Sequence, residues 1–96
     1  MTRPARATDA EIDAWLAAHA AWRREEDGLV RDARFTSYPA TIGFVVALSY
    51  EAEKRDHHPD LVVGWGKVRV RWSTHDSSGI TALDLALAEA TDALLR

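Results

Sequence analysis

Three of the four histidines in this 96-residue chain fall between Glu53 and His75. The run reads Glu53-Lys54-Arg55-Asp56-His57-His58-Pro59, and Ser73-Thr74-His75 follows after two apolar segments. Imidazole, with an unperturbed pKa of about 6.5, gives and takes protons near neutrality, so this density points to proton-transfer chemistry. Adjacent histidines diverge by about 100° on a helix and point to opposite faces of a strand, so His57 and His58 converge only in irregular backbone. Pro59 disfavours the α region for His58, which predicts that a helix ends here and leaves both rings at a helix-to-strand junction. The hairpin after Pro59 returns its second strand beside the start of its first, which predicts His75 close to the pair.

Three chemistries compete for these residues. Surface histidines near a helix C-terminus are electrostatically favourable, which accounts for the pair but not for His75. Three imidazoles also match the ligand set of some zinc hydrolases, but the pair lacks the i, i+4 spacing that aims two histidines of one helix at one ion. Metal-free acid and base catalysis in a pocket uses all three, with Glu53 one helical turn before His57 and Asp56 beside it to orient or charge the rings. The sequence favours this last reading. His19, on an apolar stripe, reads as structural.

The remaining chain must hold that run in place. One domain with one core is expected at this length, residues 8–96, preceded by a flexible arm over residues 1–7. A formal net charge of −3 gives no basic footprint for nucleic acid, and no apolar run approaches the roughly 20 residues of a membrane span. The absence of cysteine rules out disulfides and thiolate metal sites and fits a reducing cytoplasm. Thr8-Asp9-Ala10-Glu11 has the form of a capping box, opening a helix that carries Ile12, Trp15, Leu16 and His19 on one stripe to about Ala20. A short strand near Trp22 to Glu26 and a clearer one over 29–36 flank a turn at Asp27-Gly28, where glycine would supply positive φ.

Ser37 and Pro39 open a helix expected to reach about Arg55, with Ile42, Val45, Val46 and Ser49 at helical spacing and Gly43 marking a close helix contact. Residues 61–65 and 67–72 read as a hairpin whose second strand alternates Val68, Val70 and Trp72 against Lys67, Arg69 and Arg71. Thr81-Ala82-Leu83-Asp84 resembles a second cap, opening the last helix. The order α-ββ-α-ββ-α predicts a two-layer α+β fold, with helices on one face of a four-stranded antiparallel sheet.

The combination of Glu53-Lys54-Arg55-Asp56-His57-His58-Pro59, Lys67-Val68, Ser73-Thr74-His75, Gly79 and Asp84 closely resembles the signature of the pterin-4a-carbinolamine dehydratase family. The resemblance extends through Gly43-Phe44 and, more weakly, Trp22. It implies dehydration of 4a-hydroxytetrahydrobiopterin or a related pterin to the quinonoid dihydropterin, with no metal or bound cofactor. By the same resemblance His57 and His75 are the acid and base candidates, and His58 positions the substrate. Glu53 and Asp56 support the histidines or meet the pterin edge, and backbone near Ser73 and Thr74 binds its pyrimidine part. Asp84 matches the family's trailing acid and has an equally good reason to be a helix cap, while Trp22 either walls the pocket or fills core. A homodimer or homotetramer is implied, and an interaction module is the alternative, since some relatives serve as dimerisation partners of transcription factors. Trp65-Gly66, Trp72 and the short first hairpin depart from familiar members.

Overall fold

The computed structural model describes residues 5–96. Along the chain run α1 (Asp9–Ala18), β1 (Arg23–Glu25), β2 (Gly28–Arg34), α2 (Tyr38–Lys54), β3 (Asp60–Gly64), β4 (Lys67–Trp72), a single 3-10 turn (His75–Ser77) and α3 (Ala82–Leu94). The strands form one antiparallel sheet in the order β1-β2-β4-β3, and the helices pack on one of its faces around Ile12, Leu29, Leu48, Val68, Val70, Trp72 and Leu87. This is the expected α+β architecture.

The helix starts follow local chemistry. At α1 the Thr8 N–H donates to Glu11 Oε1 at 2.9 Å and the Glu11 N–H donates back to Thr8 Oγ1 at 3.1 Å, the reciprocal box read from the sequence. At α2 the Ala40 N–H donates to Ser37 Oγ, with Pro39 in the first turn. Thr41, one turn in, ties this end to the sheet by accepting from the Gly66 N–H, at the β3-β4 turn where Gly66 holds φ of 71°.

Four expectations need correction. The face that α2 buries carries Thr41, Phe44, Leu48 and Ala52, whereas Val46 and Ser49 are exposed, so the helix is buried along one side only. Gly43 is exposed and an added Cβ would meet nothing, so it marks no close contact. In the first hairpin the left-handed residue is Glu26, and Gly28 is a β2 residue paired with Glu25. Gly28 is small because the Arg71 guanidinium lies over it, only 2.6 Å from where a Cβ would sit. Of the expected arm, residues 1–4 lie outside the described residues, but the Ala7 N–H donates to Ile80 O at 2.8 Å and Arg6 bridges Thr81, so residues 6 and 7 are pinned rather than free.

On the sheet face away from the helices, Asp32 of β2 accepts from Arg69 of β4 at 2.9 Å and sits 3.4 Å from Arg23. The Arg69 hydrogen bond, helped by the charges of Arg69, Arg23 and Lys67, holds the Asp32 carboxyl below its ordinary value despite partial desolvation. A carboxyl depressed on folding adds stability above its unfolded pKa of about 3.9, and that contribution disappears as pH falls through the lower folded value. Asp32→Asn is therefore expected to cost less than about 1 kcal/mol at pH 7, because the Arg69 partner is 43% exposed and solvent screens the pair. Denaturant titrations should show wild type and variant converging below about pH 4, and a gap that persists or widens in acid would contradict this.

Candidate active site

The second half of α2 ends in a backbone device that aims His57. Arg55 is the C-cap, the Asp56 N–H donates to Glu53 O at 3.2 Å, and the His57 N–H reaches back to Ala52 O at 3.1 Å. These are the paired closing bonds of a Schellman motif, and they require a left-handed residue between cap and His57. Asp56 takes that place with φ of 47°, which aspartate tolerates better than most non-glycine residues. Its first role is thus to turn the chain so that His57 points back into the domain and His58 points out toward Pro59.

Opposite this junction, β4 runs out of the sheet into Ser73 and Thr74, and the 3-10 turn carries His75. Thr74 closes that turn: its N–H donates to Gly79 O at 2.9 Å and its carbonyl accepts from Ser77 and Gly79. Asp56, His57, His58, Ser73, Thr74, His75 and Asp76 then line one cleft of about 250 Å³. The helix-to-strand junction and the end of the hairpin do bring the three histidines to one place, as the backbone argument expected.

Asp84 fastens the cleft from behind. It is fully buried in the first turn of α3, where its Oδ2 accepts from the Thr81 N–H at 2.9 Å and from the Thr74 hydroxyl at 2.7 Å. Its Oδ1 lies 2.6 Å from His57 Nε2. A carboxylate accepts only, so His57 Nε2 carries the hydrogen and Nδ1 keeps the lone pair in the neutral ring. One oxygen serves the helix cap and the other holds His57, while Asp84 itself does not line the cleft. Trp72 supports the other side of His57, its ring parallel within 13° at a centroid distance of 5.8 Å, and is itself fixed by an indole N–H bond to Thr91 Oγ1 at 3.0 Å.

Some expected partners are rearranged. Glu53 lies 3.0 Å from His58 Nε2 rather than beside His57, and both of these side chains are largely exposed. The Thr74 N–H and carbonyl are already committed to Gly79 and Ser77 and its hydroxyl to Asp84 and Thr81, so Thr74 does not offer the pyrimidine contact expected of it. Trp22 is a core residue, 4% exposed, with its indole N–H on Asp92 Oδ1, and does not line the cleft. His19 stacks on Trp15 at 3.9 Å and bonds Trp15 O, a structural histidine far along the sequence from the cluster. Trp72 and Thr81 were missed as supports of the site. Strand parity marks Trp72 only as core and the cap pattern marks Thr81 only as an N-cap, and neither signal says which cavity lies on the far side.

A buried acid holding one imidazole, with a second imidazole lining the same cleft, is set in a small α+β domain of four antiparallel strands. A family model described as Pterin 4 alpha carbinolamine dehydratase matches residues 5–94. A protein of Natronomonas pharaonis, provisionally named as a pterin-4-alpha-carbinolamine dehydratase, is 47% identical over 89 residues, covering 93% of this chain and 95% of its own. One of Chloroflexus aurantiacus with the same provisional name is 39% identical over 90 residues, covering 94% and 97%. A Brucella melitensis crystal structure, titled as a transcriptional coactivator/pterin dehydratase, superimposes with a TM-score of 0.88 at 30% identity, covering 93% of this chain and 97% of that one. The chain belongs to the pterin-4a-carbinolamine dehydratase family, a family of hydro-lyases.

Asp84→Asn keeps the shape of the side chain but replaces a group that accepts at both oxygens with one that must donate on one side. Loss of one to two buried hydrogen bonds predicts a stability deficit of about 1–3 kcal/mol, read by urea titration. Thr74→Val removes the 2.7 Å bond to Oδ2 and the 3.0 Å contact with Thr81 Oγ1 but leaves the His57 contact in place, so it should cost about 1–2 kcal/mol. A neutral outcome for both variants would show that this acid is not the fastening point.

Proposed function

We propose that the protein dehydrates 4a-hydroxytetrahydrobiopterin or a closely related 4a-hydroxytetrahydropterin to the quinonoid dihydropterin, using histidine side chains alone. The observation that carries this reading is the 2.6 Å contact of His57 with a buried acid inside a cleft whose other wall bears His75. Loss of water from the carbinolamine breaks the C4a–O bond and forms C4a=N5, so the departing hydroxyl gains a proton and N5 loses one. His57, with Nε2–H held by Asp84 and a lone pair on Nδ1, suits the base: the imidazolium formed is stabilised by the carboxylate behind it. His75, protonated, delivers the proton that turns the 4a-hydroxyl into water. The proton balance closes when His57 and His75 exchange a proton through solvent between turnovers.

His58, tethered to Glu53 at the mouth, positions the ring, and Ser73 and Asp56 supply polar contacts for its edge. The reaction needs no metal or resident cofactor, because polarity develops on atoms that two imidazoles can reach. Zinc chemistry is less well served: the ring nitrogens His57 Nε2 and His58 Nε2 face two different carboxylates instead of a common point. Such a recycling step belongs in the cytoplasm, and no helix among the described residues is long and apolar enough to cross a membrane.

Stopped-flow absorbance on freshly generated 4a-hydroxytetrahydropterin should show acceleration over buffer. His57→Ala and His75→Ala should each lower kcat about 100-fold, within the usual worth of a positioned acid or base. Wild-type protein without acceleration, or a double variant that retains it, would end the catalytic reading.

The surface also favours self-association. β3 is an edge strand, and Val62, Val63 and Trp65 on its hairpin are exposed, as are Tyr38, Val46 and Tyr50 along α2. An unpaired edge flanked by apolar side chains is a template for a second strand, so a homodimer or homotetramer is the proposed state. Light scattering at micromolar concentration should give a multiple of the chain mass, and Val62→Lys with Trp65→Lys should reduce it. A monomeric wild type would refute the assembly. The interaction-module reading predicts the same surface but an inert cleft.

A further inference from the structure

Next to the catalytic cleft, and sharing Ser73, Thr74 and His75 with it, lies a second hollow of about 260 Å³ toward the β1-β2 turn. Its wall carries Arg71, a half-buried cation that the proposed reaction does not use. Arg69, two residues earlier on the same face of β4, is taken by Asp32. Arg71 donates only to neutral oxygens, Ser73 Oγ at 3.1 Å and Glu25 O at 3.4 Å, and among the described residues no carboxylate pairs with it. Asp60, its cross-strand neighbour on β3, is left aside because the side chain leans the other way, over Gly28.

That lean is built in. A Cβ at position 28 would fall 2.6 to 2.9 Å from three guanidinium atoms, so glycine there is the seat that lets Arg71 lie flat beside the hollow. A guanidinium fixed in orientation, short of a counter-ion and next to a binding cleft is matched by a carboxylate or phosphate, which it can bind through two parallel N–H bonds. The hydroxyls of Ser73 and Ser78 add donors on the same rim. Ser73 already accepts from Arg71, which leaves its own hydrogen free to donate. His75, when protonated, reinforces the field. Asp27, at the turn, is the one acid lining this hollow and works against an anion.

We propose that this hollow is a subsite for an anionic substituent on the pterin ring, with Arg71 as the residue that selects it. The inference rests on the pterin reading above and specifies the class of pterin: one bearing a carboxylate or phosphate on its side chain.

The test compares equilibrium binding of two unreactive probes, pterin-6-carboxylate and 6-hydroxymethylpterin, by pterin fluorescence at pH 7 and low ionic strength. Wild-type protein should bind the carboxylate roughly ten-fold more tightly, the worth of one charge-assisted contact, and added salt should shrink the ratio. Arg71→Ala should bring the ratio near one, even if binding of both probes weakens through Ser73. Gly28→Ala, which keeps the charge and displaces the guanidinium, should also lower it, and Asp27→Asn should raise it. Equal affinities in wild type, or a ratio untouched by Arg71→Ala, overturns the subsite while leaving the pterin cleft standing. Failure of both probes to bind removes the pterin reading itself, and the subsite with it.

Discussion

Everything in the cleft depends on one carboxylate taken fully out of water. Burying an acid costs several kcal/mol unless its oxygens are paired, and Asp84 meets that cost by accepting from the Thr81 backbone, the Thr74 hydroxyl and His57 together. Each of these partners comes from a different part of the chain: the start of α3, the end of β4, and the end of α2. The acid is therefore a joint between three elements as well as the partner of an imidazole. It sets the tautomer of His57, and it does so only when all three elements are in register.

The two walls of the cleft reach that joint by different means. His57 arrives through a helix-closing backbone motif, and His75 through a single 3-10 turn locked by Thr74 and Gly79. Neither wall is a long free loop, so the relative placement of the imidazoles is set by backbone hydrogen bonds and the stacked Trp72. The apolar surface lies close by. A groove formed by Val45, Tyr50, Leu61 and Pro59 runs into Glu53 and His58, so this apolar surface and the cleft meet at His58.

Much of this was legible because it is local. The Thr8 box, the Ser37 cap, the helix stop before Pro59 and the parity of β4 are each set by residues within a few positions of one another, and all appear where expected. The convergence of His75 on the histidine pair was also readable, because antiparallel pairing fixes which hairpin ends meet. What escaped is what periodicity cannot rank. Residues 41, 44, 48 and 52 and residues 42, 46 and 49 both make helical stripes, and only packing chooses between them. Gly28 looked like a turn residue because glycine has two uses, positive φ and vacancy, and a sequence does not say which is needed. The pairing of Glu53 with His58 follows from the left-handed Asp56, which rotates the chain by an amount that no pattern in the run announces.

The stitch between Ala7 and Ile80 carries a consequence for handling the molecule. Ile80 adjoins Thr81, whose N–H is one of the donors on Asp84. The front of the described chain is thus fastened one residue from the joint on which His57 relies. A purification handle, a surface tether or a fused partner placed there would pull along a line that ends at the imidazole, so attachment through this end is the wrong choice for an immobilised catalyst.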